Sequence, residues 1–264
     1  MQDIENIELT LLSLDDYQEL KAAMLEAYSN MPGTYWKEKQ MESLINRFPE
    51  GQVVIKVNDQ IAGCALAIIV KYDDYDDNHT YDEITGNSSF TTHNPDGDTL
   101  YGVDVFIKPE FRGLRLGRRL YDYRKELCER LNLKGITFGG RIPNYHKYSE
   151  TISPKEYIEK VKRKEIHGPV LNFQMSNDFQ PAKVLKGYLE GDEASNEYAV
   201  LLKWNNIYYE KPSKQAAVNK KLVRLGLIQW QMRPYKDLDE LMQQAEYFID
   251  AVAGYRSDFA LFPE

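Results

Sequence analysis

The stretch from Val103 to Leu131 constrains this chain more than any other. It begins with the run Val103-Asp104-Val105-Phe106-Ile107, turns at Lys108-Pro109-Glu110-Phe111, and continues as Arg112-Gly113-Leu114-Arg115-Leu116-Gly117-Arg118-Arg119-Leu120. Leu116, Leu120, Tyr123, Leu127 and Leu131 recur at steps of three and four, which places them on one helix face. The stretch therefore predicts strand, turn and helix. An Arg- and Gly-rich turn at a helix start suits a phosphate. First-turn N–H groups have no partner inside the helix and point outward, and the helix dipole adds partial positive charge there. Gly113 and Gly117 carry no Cβ and admit a close ligand. Arg112, Arg115, Arg118 and Arg119 offer forked donors to phosphate oxygens.

This run resembles the acyl-CoA pyrophosphate loop of the GNAT family of N-acetyltransferases. That family's pattern is Arg/Gln-x-x-Gly-x-Gly/Ala after a strand that ends near a Pro. Arg112 matches the first position and Gly117 the last; Arg115 stands where the middle Gly is expected. The resemblance implies acetyl-CoA, or another acyl-CoA, as co-substrate. It implies a pyrophosphate held at Arg112, Gly113, Leu114, Arg115, Leu116, Gly117 and Arg118. The pantetheine arm would lie along the backbone of Val105, Phe106 and Ile107. An N–H near Ile107 would meet the oxyanion.

The order of elements supports the same family. Ile7 to Leu14 reads as a strand. A helix follows with Asp15 or Asp16 as its cap and Leu20, Ala23, Met24 and Ala27 inward, broken at Pro32-Gly33. Trp36 to Phe48 reads as a second helix. Gln52–Val57 and Gln60–Val70 form a hairpin turned at Asn58-Asp59. Strand, two helices, two strands and then strand–loop–helix is the GNAT order, and the fold class is α+β, a mixed central sheet flanked by helices.

Lys71 to Asp98 interrupts that order with acidic, Tyr-bearing sequence. The plainer reading is a solvated, mobile insertion; the functional one is a lid that draws cationic amines to the acceptor site. Lys134 to Gly140 reads as the next strand, and Asn144 and Tyr145 follow it, where the family's acceptor cleft opens. Ser153-Pro154 caps a helix. Val184–Leu189 and Tyr198–Trp204 read as the last strands.

The family closes with a segment like Leu-x-Phe-Tyr-x-x-x-Gly-Phe, whose Tyr protonates the departing thiolate. Here Leu171, Phe173 and Phe179 fit, and Gln174 replaces the Tyr. An amide is no acid. Tyr145 is the substitute acid named from sequence, and Asp104, on the strand, is the candidate base. Strand alternation relative to Val103 and Val105 threatens to turn Asp104 away from the cleft.

The tail reads separately. Residues 209–221 form a linker, and 222–264 give strand, helix and strand, with Asp237 capping a helix that carries Leu238, Leu241, Met242, Ala245, Phe248, Ile249 and Val252. Phe262-Pro263-Glu264 resembles the end of the strand that bears the general-base Glu in the carbon–nitrogen hydrolase (nitrilase/amidase) superfamily. Glu264 matches that base, while neither Cys64 nor Cys128 sits in the family's nucleophile context. Hydrolase activity is not expected from this incomplete site. A unit this short cannot bury its own sheet, so it docks on a neighbour or on a second copy, which leaves room for a homo-oligomer, or else it is poorly ordered.

Composition excludes several classes. Net charge of −8 argues against nucleic acid as the main partner. No apolar run approaches the ~20 residues that span a bilayer. Two distant Cys read as reduced thiols of a cytoplasmic protein. Four scattered His give no metal spacing, so no metal is expected. Residues 1–208 are thus expected to form an acyl-CoA-dependent N-acetyltransferase acting on a small-molecule or peptide amine. The alternatives are a non-catalytic acyl-CoA-binding domain that regulates a fused amidase, and a pure assembly module.

Overall fold

The computed structural model describes residues 4–29, 35–75, 78–211, 224–230, 234–254, 257 and 259–262. The chain falls into two compact units, 1–209 and 210–264. The first is built on a seven-stranded mixed sheet. Its strands are β1 (Ile7–Leu11), β2 (Gln52–Val57), β3 (Gln60–Val70), β4 (Thr99–Ile107), β5 (Gly135–Arg141), β6 (Gln180–Leu185) and β7 (Ala199–Asn205). The spatial order is β1-β2-β3-β4-β5-β7-β6. Only β4 and β5 run parallel. The helix α4 (Leu116–Arg130) makes that crossover, as parallel neighbours require.

The β2–β3 hairpin forms where the sequence places it. Asn58 and Asp59 both take positive φ, 49° and 63°, the conformation of a two-residue hairpin turn that matches strand twist. Helices α1 (Tyr17–Ala27) and α2 (Glu38–Arg47) cover one face of the sheet. Leu20, Met24, Met41 and Leu44 pack there on Leu66, Tyr101 and Phe106. Helix α4 covers the other face, with Leu116 and Leu120 on Val53 and Ala65, and Leu127 and Cys128 on Ile136 and Phe138. Of its expected stripe, Leu131 lies at the C-terminal cap and is exposed.

The described residues of the segment 71–98 are folded onto the sheet. It contains α3 (Tyr81–Thr85), closed by a capping box in which Glu83 N–H donates to Thr80 Oγ1 and Thr80 N–H to Glu83 Oε2. Ile84, Phe90 and His79 are buried, and Asn94 and Asp98 donate backbone N–H groups to Ile69 and Val70. Acidic composition hid this, because its few apolar residues all turn one way, into the cluster under α1 and α2. Ser153 caps α5 (Pro154–Lys162) by accepting from Glu156 N–H at 3.2 Å. The family-like segment 169–175 is a short helix, α6 (Pro169–Met175). The strand expected over 184–189 sits four residues earlier, at Gln180–Leu185, because Gly187 turns the chain with φ 63°.

In the second unit, β8 (Leu225–Leu227) and β9 (Phe259–Leu261) pair in parallel across α7 (Leu238–Gly254). Asp237 Oδ1 accepts from Glu240 N–H at 2.9 Å, so the cap is the expected one. Pro263, Glu264 and most of the 209–221 linker lie outside the described residues. Among the described residues, no helix is long and apolar enough to cross a membrane and no acidic, His or Cys group could hold a metal.

Arg141 at the end of β5 grips Asp192, with Nε to Oδ2 at 2.7 Å and Nη2 to Oδ1 at 2.5 Å. Burial alone would raise the Asp192 carboxyl, but Arg141 and Ser195 outweigh it and hold it below its ordinary value. A depressed native value stabilises above the unfolded value and is lost as pH falls through the native one. Asp192→Asn should therefore lower stability near neutrality by about 3 kcal/mol or more, by stranding Arg141. That deficit should narrow as pH drops below about 4, read from urea midpoints across pH.

Candidate active site

The site begins with one residue too many in β4. Val70 to Ala67 pair with Thr99 to Gly102, and Leu66 to Gly63 pair with Asp104 to Ile107, which leaves Val103 unpaired. This is a β-bulge, and it bends its strand. On the other side, β4 meets β5 only at Thr99, Tyr101 and the residue between them. Beyond Thr137, β5 pairs with β7 alone. Two strand edges therefore stand open and diverge. Lys108 N–H bonds the Ala62 carbonyl towards β3 at 2.8 Å. Alternation then turns the N–H groups of Val105 and Ile107 to the open edge.

The bulge leaves carbonyls to satisfy, and side chains take them. Tyr81 hydroxyl donates to Val103 O at 3.3 Å. Arg124, buried on α4, donates through Nη2 to Leu66 O and Asp104 O, both at 2.5 Å. Gly102 makes room, since a Cβ there would stand 3.2 Å from Arg124 Nη1.

The open edges lead to the loop before α4. Arg115 is the helix N-cap and takes φ 58°, ψ 19°, the left-handed region that glycine enters freely and that costs other residues about 1–3 kcal/mol. The departure from the family pattern is thus accommodated as backbone strain. The carbonyl of Arg115 accepts from the N–H groups of Arg118 and Arg119. No protein acceptor takes the N–H groups of Gly113, Leu114, Arg115, Leu116 or Gly117 among the described residues. The side chains of Arg112, Arg115, Arg118 and Arg119 are exposed; among the described residues only Arg118 has an ion pair, with Asp122 at 3.8 Å. Donors arranged in this way suit an anion. Gly117 serves packing as well: a Cβ there would come within 2.6 Å of the Phe173 ring.

The bulge also rotates Asp104. Its carboxylate accepts from Tyr28 hydroxyl at Oδ1 and from Trp36 Nε1–H at Oδ2, the latter at 3.0 Å. Tyr28 ends α1 and Trp36 precedes α2, so the carboxylate points to the face of the sheet that these two helices cover. Burial pushes the Asp104 carboxyl up, and the bonds from Tyr28, Trp36 and Val105 N–H offset this only in part. Rings line the approach: Tyr28 edge-on to Phe106 at 5.8 Å, and Trp36 against Phe90 at 5.4 Å and Tyr81 at 6.4 Å. Arg141 and Asp104 feel each other's charge across the cleft. Behind this wall His79 Nε2, Tyr101 hydroxyl and Tyr188 hydroxyl form a buried chain at 2.9 and 2.8 Å.

Two other sequence candidates lie elsewhere. Tyr145 is a core ring packed on Tyr157 and Tyr198, and its hydroxyl is committed to Ile152 O at 3.1 Å. A donor so spent is not free for a thiolate. Glu264 falls outside the described residues. Sequence reasoning missed Tyr28, Trp36, Tyr81, Arg124 and Arg141. Arg124 alone left a signal, since it lies one turn from Leu120 and from Cys128 within an otherwise apolar stripe.

Known proteins carry the same features. The model of the acetyltransferase (GNAT) family matches residues 21–147. A Bacillus subtilis protein named Uncharacterized N-acetyltransferase YkwB is 38% identical over 178 residues, covering 67% of this chain and 78% of that protein. Another from the same organism, named Probable hydrolase YhcX, is 42% identical over 230 residues. That match covers 87% of this chain, which spans only 45% of the relative's length. In fold, the chain is similar to the loading GNATL domain of CurA from Lyngbya majuscula (TM-score 0.66, 21% identity, 76% of this chain and 98% of that one). It is also similar to the GphF GNAT-like decarboxylase in complex with isobutyryl-CoA (TM-score 0.63, 16% identity, 75% and 99%).

Removing the Tyr28 hydroxyl tests the carboxylate's surroundings. That bond favours the charged form, so Tyr28→Phe should move the Asp104 titration further upward, seen by carboxyl carbon NMR. An unchanged titration would mean that Tyr28 does not hold Asp104 in solution.

Proposed function

The chain belongs to the acetyltransferase (GNAT) family, and from that premise we propose that it transfers an acetyl or other acyl group from acyl-CoA to an amine. One observation carries the reading: five unpartnered N–H groups, Gly113 to Gly117, open beside the unpaired edges of β4 and β5. The residues fit a diphosphate at that turn, with Arg112, Arg115 and Arg118 around it. An amide-bearing arm fits the N–H group of Ile107 on the open edge of β4. Bound there, acyl-CoA supplies the activated thioester.

Asp104 faces the other side of the cleft and acts as the base. Its raised carboxyl value brings it nearer to working pH than an ordinary Asp. As the amine nitrogen bonds the acyl carbon, its proton passes to Asp104 Oδ1 or Oδ2. The C–S electron pair leaves with sulfur, and an N–H on the open edge of β4 meets the charge that develops on the acyl oxygen. The ring wall of Tyr28, Trp36, Tyr81 and Phe106 excludes water and suits the carbon body of an amine.

A second reading rests on Gln174, which puts an amide where the family places its acid: the unit binds acyl-CoA and regulates without turnover. In either case we read residues 222–264 as the start of a carbon–nitrogen hydrolase domain, with Glu264 as the matching base. Support comes from the likeness to YhcX, which covers a stretch longer than the first unit and so runs into the second.

Acetyl-CoA at about a hundred times its Kd should raise the Tm of the first unit by about 5–10 °C. Arg112→Ala should abolish most of that rise and weaken the salt dependence of binding. With a panel of primary amines, Asp104→Asn should lower kcat by on the order of 10²–10⁴. Binding without turnover of any amine would favour the regulatory reading.

A further inference from the structure

Partly exposed side chains meet where β4 parts from β5: Tyr28, Trp36, Tyr81 and Asp104 on one side, Arg141 at the end of β5 on the other. Arg141 feels the charges of Asp104 and Tyr28 across that gap. The buried rings of Phe106 and Phe90 back Tyr28 and Trp36. The wall's own donors are spent on the protein. Tyr28 hydroxyl and Trp36 Nε1–H go to Asp104, and Tyr81 hydroxyl goes to Val103 O at 3.3 Å. The carbonyl of Trp36 takes the Tyr17 hydroxyl at 3.1 Å. The wall therefore offers ring surface, with no side-chain donor over for an oxygen-bearing substituent.

Asp104 is the exception. Tyr28, Trp36 and the N–H of Val105 fill three of its about four acceptor positions. One position is left for a donor from outside. Its charge is also not cancelled in the gap. Arg124 bonds the Asp104 carbonyl and is itself 2% exposed. Arg141 commits Nε and Nη2 to Asp192. Asp82 and Glu83, next to Tyr81 on α3, are exposed and add negative charge.

Resting on the acyl-transfer reading above, we propose that the acceptor is a primary amine on an aliphatic or aromatic carbon body, with no carboxylate, amide or hydroxyl beside the nitrogen. Its cationic head is drawn to the open position on Asp104. The rings of Tyr28, Trp36 and Tyr81 take the body and the flank of the head. A carboxylate beside the nitrogen would stand against Asp104 with its charge unmet, and like charges so placed repel. An amide or hydroxyl there would lose its water and find no donor in the wall. Selection thus comes from what the site refuses as well as from what it touches.

The test varies the amine on the unchanged chain at saturating acetyl-CoA. Phenethylamine, phenylalanine amide and phenylalanine share one body and differ only beside the nitrogen. From the first to the second, kcat/KM should fall about tenfold or more, and from the first to the third roughly 10²–10³-fold. Trp36→Ala should raise KM for phenethylamine about 10–100 times more than KM for ethylamine, with the acetyl-CoA-induced rise in Tm showing that the variant folds. No turnover with any amine overturns both this inference and the reading beneath it. Turnover in which phenylalanine or its amide equals or outruns phenethylamine overturns the inference alone, and a preference for phenylalanine would mark Arg141 as a receiver of carboxylates. Equal KM changes for the two amines in Trp36→Ala overturn it as well.

Discussion

One unpaired residue, Val103, governs the geometry of the first unit. An antiparallel ladder that ran unbroken through β4 would carry it alongside β5 to its end. The bulge breaks the ladder, and the parallel pairing stops after three residues on each strand. The cost of a bulge is its stranded carbonyls. Arg124 and Tyr81 meet that cost from opposite faces, one from α4 and one from the segment before β4. The cleft is thus held open by side chains, and the donors along its edges are left for a ligand.

The charges follow from the same constraint. Asp104 would be one more strand residue without the bulge. Turned towards α1 and α2, it meets two neutral donors, Tyr28 and Trp36, instead of a cation. Neutral donors orient a carboxylate without neutralising it, so burial still raises its value. Arg141, the nearest cation on the facing strand, is held by Asp192 and does not close an ion pair across the cleft. A basic turn at one end and a poised carboxylate at the other therefore share one opening.

Much of this was legible in the chain. The hairpin β2–β3 and the helix α4 follow directly from alternation and from three–four spacing. The Arg-Gly turn suggested an anion site, and among the described residues its amides have no protein acceptor. Other parts misled. Residues 71–98 look solvated by composition, yet Ile84, Phe90 and His79 are buried. Tyr145 follows the right strand but turns into the core, because its ring finds Tyr157 and Tyr198. Gln174 stands where the family's Tyr is expected.

By itself, then, the sequence determined the elements, their order and the make-up of the Arg-Gly turn. These depend on local periodicity, on capping and on the residues of a single turn. It could not determine what faces the cleft. A single inserted strand residue reverses which side chains look inward, and an Arg within an apolar stripe is buried only because carbonyls wait for it on another strand. Those partners come from segments twenty to nearly eighty residues apart, Asp104 with Tyr28, Trp36 and Arg124. Only packing of the whole sheet brings them together.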